Sequence, residues 1–492
     1  MSERKSIFGN FIYNALYNVM NVLFPLITIP YLSRVLMSDG LGKINYARNI
    51  VSWFLIFASL GIPRYGVREI ARVRSKKELL DKTFSELFII NLISTLGCVV
   101  IFLALVFNVA YFKSRLILFL VTGIQLLLNI FNVDWFYQGM EEYSYITRRS
   151  FIIKLFSLVL MFVFVKNHDD YIAYALLQSF AVAGNYIFNF IHLKKYIKIV
   201  LKNIELKKHL IPIMILLSTS LATTVYSLLD TTILGIFCSD SVIGYYSNCH
   251  KVIQTIATLT ASLGSVMLPR LVKYYEKDDK DKVLQLSTKA LQIILVVCTP
   301  ITIGLFFEAK SIVLVVFGAD FVPSIITLQV FAPFILLTTI GNLYGTQLLM
   351  MLNREKELLI TVSVGAGINL VLNLILVNTF QQNGVAFASV VTEAIVMVAQ
   401  IIAVQRQKLW LRLSKRFVVS TVIMNIGLTL FCILINRMIA SYIIEILIAI
   451  IGGGGIYLFV GSITHNEAIF FILERIRGTL VSTTTKIRKN GY

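Results

Sequence analysis

An all-α polytopic membrane protein of about fourteen transmembrane helices is the fold class this sequence predicts, and three observations carry the prediction. Hydrophobic residues fill 57% of the 492 positions and charged residues only 14%, with a mean hydropathy of +0.80, well outside the balance of a soluble domain. Apolar runs of the roughly 20 residues that cross a bilayer core recur along the whole chain. The cations gather in every second connection between those runs, as the positive-inside rule requires of a multi-pass protein.

Spans are expected near residues 10–34, 45–62, 84–107, 115–133, 146–165, 171–191, 211–236, 243–268, 284–307, 325–350, 357–377, 384–404, 417–435 and 442–460. The first follows a short basic tail and carries Asn14, Asn18 and Asn21 with no small-residue cleavage site, so it reads as a retained span rather than a removable signal. Those asparagines, spaced by four and three, share one helical face. Pro25 and Pro30 predict a bend in the same span. Span 7 carries a row of hydroxyls, among them Ser218, Thr219, Ser220, Thr224, Thr231 and Thr232, which fits either helix packing or a sugar path. Tyr137, Tyr143 and Tyr145 fit an interfacial aromatic belt. Gly452 to Gly455 in span 14 reads as close helix packing or a kink. The segment from His465 onward mixes apolar and basic residues in the manner of an amphipathic helix on the inner leaflet.

The net charge of +19 could suggest nucleic acid, but its placement argues against that partner. Arg64 to Lys82 follow span 2, Arg148 and Arg149 span 4, Lys194 to Lys208 span 6, Arg270 to Lys282 span 8, Arg354 and Lys356 span 10, and Arg406 to Arg416 span 12. The other connections and helix ends hold only Arg34, Lys43, Arg48, Lys113, Arg115, Lys166, Lys310 and Arg437. Both termini are therefore expected on the cytoplasmic side.

A repeat organises the chain. Asn45 to Gly61 (NYARNIVSWFLIFASLG) aligns without a gap on Asn248 to Gly264 (NCHKVIQTIATLTASLG), at an offset of 203 residues, and Arg48 falls on Lys251. The copies begin at spans 2 and 8, six crossings apart, so they enter the membrane in the same direction. Parallel repeats predict two six-helix lobes around a central cavity, with the symmetry axis along the membrane normal. The expected domains are residues 1–205 (spans 1–6), 206–405 (spans 7–12) and 406–492 (spans 13 and 14 with a cytoplasmic tail). A cation inside an apolar span costs about 2.5–3.5 kcal/mol or more and normally faces a bundle interior or wet cavity, so a duplicated one suggests a shared polar chamber. Arg48 and Lys251 are its first candidates. Arg34, at the outer end of span 1, is either a chamber residue or a snorkelling anchor.

Acidic residues within spans require partners. Asp230 and Lys251 lie at similar distances either side of the turn joining spans 7 and 8, so an ion pair between them is expected. Glu393, in a span without cations, is a candidate coupling site for H+ or Na+, or else a protonated carboxyl bonded to a neighbouring helix. Cys98, Cys238, Cys249, Cys298 and Cys432 are scattered, with no C-x-x-C pair and no metal-ligand spacing, so free thiols and no metal site are expected. No run of the form G-x-x-x-x-G-K-[ST] is present to cradle ATP phosphates. No cofactor is expected; energy would come from membrane potential, an ion gradient or substrate supply.

PLITIPYLSRVL (Pro25 to Leu36), GIPRYGVREIARVR (Gly61 to Arg74), DWFYQGMEEYSYITRRS (Asp134 to Ser150) and DTTILGIFCSDSVIGYYSNCHKV (Asp230 to Val252) resemble the polysaccharide-transporter branch of the multidrug, oligosaccharidyl-lipid and polysaccharide exporter superfamily. Within it the chain is most similar to Wzx-type flippases of O-antigen and capsule repeat units, from about residue 8 to 405. The resemblance implies a bacterial inner-membrane protein, not an enzyme, that moves an undecaprenyl-diphosphate-linked oligosaccharide from the cytoplasmic to the outer leaflet. It also implies membrane lipids as surroundings, with a polysaccharide polymerase and a chain-length regulator as partners. For that cargo Arg48 and Lys251, with Arg34, would hold the diphosphate, and Lys154, in the cytoplasmic third of span 5, would either snorkel to the interface or guide the diphosphate where it enters. A glycan polymerase or ligase is disfavoured because the outer loops are short and the longest, about 308–324, lacks a paired acid and base. A drug exporter of the same superfamily would favour an acidic chamber. A peptidoglycan-precursor flippase shares the cationic chemistry and stays open as an alternative.

Overall fold

The computed structural model describes the backbone of residues 7–265, 267–471, 473 and 474, without the side chains of 7–23, 26, 219, 220, 222, 223, 225–227 and 262–265. The asparagine face of span 1, part of the hydroxyl row of span 7 and the chain beyond Glu474 lie outside what is described. Among the described residues every regular element is helical and each expected span has its helix. In chain order these are α1 (Ile7–Ser59), α2 (Ile62–Val73), α3 (Lys77–Asn108), α4 (Ala110–Lys113), α5 (Leu116–Leu128), α6 (Asp134–Gly139), α7 (Tyr143–Phe164), α8 (Tyr171–Leu193), α9 (Lys207–Phe237) and α10 (Asp240–Ser265). They continue as α11 (Leu268–Tyr275), α12 (Lys280–Phe307), α13 (Ala309–Ile312), α14 (Ser324–Asn342), α15 (Glu355–Arg406), α16 (Lys415–Met438) and α17 (Tyr442–Ile463).

Two elements are too long for one crossing. At 1.5 Å per residue the 53 residues of α1 would reach about 80 Å, against a hydrocarbon core of about 30 Å. The chain turns back inside each: Met37 (φ 56°, ψ −175°) interrupts α1 between spans 1 and 2, and Gln381 (φ 47°, ψ −129°) interrupts α15 between spans 11 and 12. Both leave the helical region at the cation-poor end, where the connection is too short for a loop.

The chain divides into two compact units, Met1–Ser247 and Asn248–Tyr492. In the first, α1 packs against α3, α5, α7, α8 and α9. An aromatic core fills its cation-rich end, where α2 lies on α6 and buries Ile70, Phe84, Trp135, Phe136 and Tyr137. Two of the segments that carry the family resemblance thus fold against each other. Gly66 makes this possible, because any Cβ there would meet the Trp135 indole. Tyr137 corrects the expectation of an interfacial belt: it is fully buried and donates its hydroxyl to the Asn189 carbonyl at 2.7 Å. Tyr145 stacks on His192 at 4.2 Å instead.

At the opposite end of this unit the turn of α1 meets the start of α10. A Cβ on Gly42 would collide with the Asp240 carbonyl, and one on Gly244 with the Ser38 carbonyl, both of them backbone atoms that cannot swing aside. Gly42→Ala is therefore expected to destabilise the unit by about 1–3 kcal/mol or more, the usual cost of overpacking. A lowered thermal midpoint of the detergent-purified protein would show it.

In the second unit α14 packs against α12 and α15, and α16 against α12 and α17. Val296, Phe417, Met424, Leu428, Tyr457 and Ile469 form the core where α16 and α17 join α12. Two glycines of the span 14 run, Gly452 and Gly453, form a packing surface, whereas a Cβ on Gly454 or Gly455 would meet nothing within 4 Å. Phe431 of α16 occupies the position of a Cβ on Gly452, and Leu428 that on Gly453. Short π-helical stretches, Val313–Phe317 and Leu343–Leu349, continue α13 and α14.

The repeat extends beyond the matching letters. The interruption at Met37 and the first residue of α10, Asp240, stand at the same offset of 203 as Arg48 and Lys251. After each copy comes a short amphipathic helix opened by Pro-Arg: α2 with Pro63 and Arg64, and α11 with Pro269 and Arg270. Proline suits the first helical turn because its missing N–H would be unpaired there anyway.

Candidate functional site

The second half of α1 runs without a break from Ser38 to Ser59, and Arg48 stands midway, about 16 Å past the turn at Met37. That is deeper than the expected span, starting near residue 45, would place it. Its side chain is half-buried and acts electrostatically on the buried Tyr174 of α8, whose hydroxyl accepts a hydrogen bond from Gln178. Among the described residues no carboxylate pairs with Arg48.

The other arginines buried in this unit differ in that respect. Arg115 grips Asp240 with both terminal nitrogens, at 2.9 and 2.6 Å, and lies over the Tyr111 ring at 4.4 Å. Arg149 reaches Asp134 at 3.1 Å and the Asn185 side-chain oxygen at 2.9 Å. Where a guanidinium holds helices together in this unit, the fold supplies a carboxylate. At Arg48 the described residues supply no such carboxylate, which leaves the cation's charge available to an anionic ligand.

Next along the helix, Asn49 and Trp53 both donate to Thr232 of α9, at 2.7 and 2.9 Å. These bonds fix the rotation of α1 and with it the direction Arg48 takes. Asp230, two residues before Thr232, is buried and accepts from the Tyr246 hydroxyl at 2.5 Å. Arg34 is exposed and donates to the Pro30 carbonyl of its own helix at 3.1 Å. Lys154 is half-buried in α7.

In the second unit Lys251 lies on α10 about 16 Å beyond Asp240, half-buried, and acts electrostatically on His250, whose ring stands 6.0 Å from Phe331 of α14. Glu393 of α15 takes a hydrogen bond from Thr338 of α14 and lies 3.5 Å from where a Cβ on Gly341 would stand. Glu393 thus has a hydroxyl on a neighbouring helix within reach, and the Tyr246 phenol is one partner of Asp230.

One polar cluster was not visible in the sequence. Glu86 of α3 is fully buried, and its Oε2 meets His209 Nε2 and Lys208 Nζ, each at 2.9 Å. Its Oε1 accepts the Glu205 backbone N–H at 2.9 Å, and His209 Nδ1 in turn contacts the Tyr65 hydroxyl at 2.8 Å. Lys82 completes the cluster by bonding Glu205 at 2.8 Å, which holds the Glu205 carboxyl below its usual range. An acid at the start of span 3 and Lys207-Lys208-His209 at the start of span 7 were the only sequence signals, more than a hundred residues apart. The cluster ties α2, α3 and α9 together at the cation-rich end, away from Arg48.

The family described as Polysaccharide biosynthesis protein matches residues 7–275, and the family described as Lipid II flippase MurJ matches residues 150–472. A curated protein of Escherichia coli (strain K12), named "Putative O-antigen transporter", is 22% identical over 83% of this chain and 99% of its own length. A protein of the same name from Shigella dysenteriae is 25% identical over 78% of this chain and 96% of its own. Among solved structures, a lipid II flippase MurJ in an inward closed conformation superposes with a TM-score of 0.67 at 17% identity, covering 94% of this chain and 99% of that one. The shared fold and the family match agree with the helices and the repeat described above: the chain belongs to the polysaccharide biosynthesis protein family, in the polysaccharide-transporter branch of the multidrug, oligosaccharidyl-lipid and polysaccharide exporter superfamily.

Proposed function

We propose that this protein is a flippase that carries undecaprenyl-diphosphate-linked oligosaccharide repeat units from the inner to the outer leaflet of the bacterial cytoplasmic membrane by alternating access. The observation that carries the reading is Arg48, a guanidinium halfway along a membrane helix with no carboxylate partner among the described residues. Lys251, at the matching position of the second repeat copy, supports it, as do the names of the full-length relatives. A diphosphate offers a guanidinium short, charge-assisted hydrogen bonds that a neutral drug or free sugar does not. The alternation of cations among the connections supports an orientation with both termini in the cytoplasm.

Direction follows from charge. Each negative charge moved outward across an inside-negative potential of 100 mV gains about 2.3 kcal/mol, so a diphosphate crossing uncompensated is driven by the potential alone. If Arg48 and Lys251 neutralise it during passage, a counter-ion at Glu393, H+ or Na+, takes over that role. A polymerase and a chain-length regulator would receive the exported unit at the outer face.

The match of residues 150–472 to the lipid II flippase family favours one second reading, a peptidoglycan precursor as cargo. Both cargoes share the diphosphate and the polyprenyl tail and differ in the glycan. Deleting the gene separates the readings. The flippase of repeat units predicts build-up of one complete lipid-linked repeat unit at the cytoplasmic leaflet and loss of the surface glycan. Normal surface glycan together with accumulated peptidoglycan precursor would reverse the assignment.

A further inference from the structure

We infer that Glu308 and Glu445 form a proton-binding carboxyl pair that fastens α17 to the junction of α12 and α13. The pair lies outside every group assigned above to cargo or coupling, and the inference does not depend on what the protein transports.

Glu308 is the single residue between α12 and α13, at the cation-poor end of the second unit. It is 3% exposed, and among the described residues no N–H or O–H donor reaches either of its carboxyl oxygens. A bare carboxylate in such a place would carry a desolvation penalty of several kcal/mol with nothing to offset it. The group facing it is another acid. Glu445, in the first turn of α17 and 5% exposed, brings its carboxyl close to the Glu308 side chain. Two ionised carboxylates have acceptors only, so a hydrogen bond between them exists only when a proton is bound.

The surroundings decide which acid carries it. Ser311, one turn beyond Glu308 and buried, donates to Glu445 Oε2 at 2.6 Å. Glu445 also sits at a helix N-terminus, where the backbone favours negative charge. Both features make Glu445 the acceptor of the pair and Glu308 the donor. From α16, Cys432 lies within electrostatic reach of Glu308, and Asn436 spends its amide on the Phe307 carbonyl at 3.0 Å. Lys310 lies over the Tyr442 ring at 5.6 Å and makes no ion pair with Glu308 or Glu445 among the described residues. No cation among the described residues pairs with either acid. Burial beside Glu445 accordingly raises the Glu308 carboxyl to about 8.

A proton held in this way acts as a clasp. The docked first turn of α17 keeps Glu308 protonated from the ordinary carboxylate range up to about 8, whereas an undocked α17 would let it ionise. Within that window the docked form binds the extra proton, so rising pH weakens docking progressively, and the effect levels off above about 8. Spans 13 and 14, which lie outside the duplication, are thereby attached to the second unit through a bond that the pH at the cation-poor face controls.

Infrared difference spectroscopy of the full chain in lipid nanodiscs, titrated across this range, tests the pair without any transport assay. The expected result is a protonated-carboxyl band that disappears with a midpoint near 8. It should be absent from Glu308→Gln and shifted to lower pH in Glu445→Gln, which removes the neighbouring charge. Hydrogen exchange of the first turn of α17, corrected for the intrinsic pH dependence of exchange, should rise toward that midpoint in the natural protein and stay flat in Glu308→Gln. A band unchanged by Glu308→Gln, or the lack of any titrating carboxyl together with flat exchange, would overturn the inference. Each variant is first checked for a monodisperse peak on size-exclusion chromatography, and the natural protein's own titration stands if one of them fails that check.

Discussion

Arg48→Ala is expected to slow export of the lipid-linked oligosaccharide about 10- to 100-fold while leaving the protein at normal abundance in the membrane. The magnitude follows from the loss of one charge-assisted hydrogen-bonding group to a phosphate, about 1.5–3 kcal/mol, with each 1.4 kcal/mol worth a factor of ten. Abundance should hold because Arg48 pairs with no carboxylate among the described residues, so its removal strands no buried charge. Arg48→Lys should recover only part of the rate, since an ammonium keeps the charge and loses the planar fork. Export is read as surface glycan against accumulated lipid-linked repeat unit, with membrane abundance measured by immunoblot. A variant that exports normally would remove Arg48 from the cargo path.

Glu86→Ala is expected to do the reverse, failing in folding rather than in transport. The buried carboxylate accepts from His209, Lys208 and the Glu205 backbone, and without it the buried His209 ring and the Glu205 N–H lose their acceptor. Breaking a buried pair by removing one partner costs about 3–5 kcal/mol, a large part of the stability of a typical domain. Little monodisperse protein should be recovered after detergent extraction. Glu86→Gln, which keeps an acceptor oxygen but loses the charge, should lie between. Recovery of Glu86→Ala at the natural level, with an unchanged thermal midpoint, would show that the cluster contributes little.

Helix number and the repeat were legible because both rest on local signals: 20-residue apolar runs, alternating cation-rich connections, and a gapless match of seventeen-residue segments. Arg48 was legible for the same reason, since a cation in an apolar run stands out without any partner in view. Its depth was not. Ser38-Asp39-Gly40 marks a turn, but not that the helix resumes immediately after Met37 instead of after a loop, and so Arg48 lies nearer the helix centre than the composition suggests.

Contacts between distant segments were hidden for a different reason. Glu86 and His209, Arg115 and Asp240, and Glu308 and Glu445 are each more than a hundred residues apart, and only the packing of helices brings them together. Tyr137 shows the limit of position-based reading. A tyrosine near a span end usually marks the interface, but the close approach of α2 to α6 at Gly66 and Gly139 encloses this one in the core. The Tyr246 bond to Asp230 and the Thr338 bond to Glu393 were likewise beyond reach, because a tyrosine hydroxyl or a threonine leaves no charge pattern to read.

The most direct test of the central claim is reconstitution of the purified protein into vesicles carrying an undecaprenyl-diphosphate-linked oligosaccharide, under an imposed potential. Translocation is followed by the access of a membrane-impermeant glycosidase to the glycan. The account predicts that the natural protein moves the glycan lipid in the direction the potential drives its negative charge, and that Arg48→Ala does so about 10- to 100-fold more slowly. Glycan that stays protected at the same level as in protein-free vesicles, or equal rates for the two proteins, would contradict it.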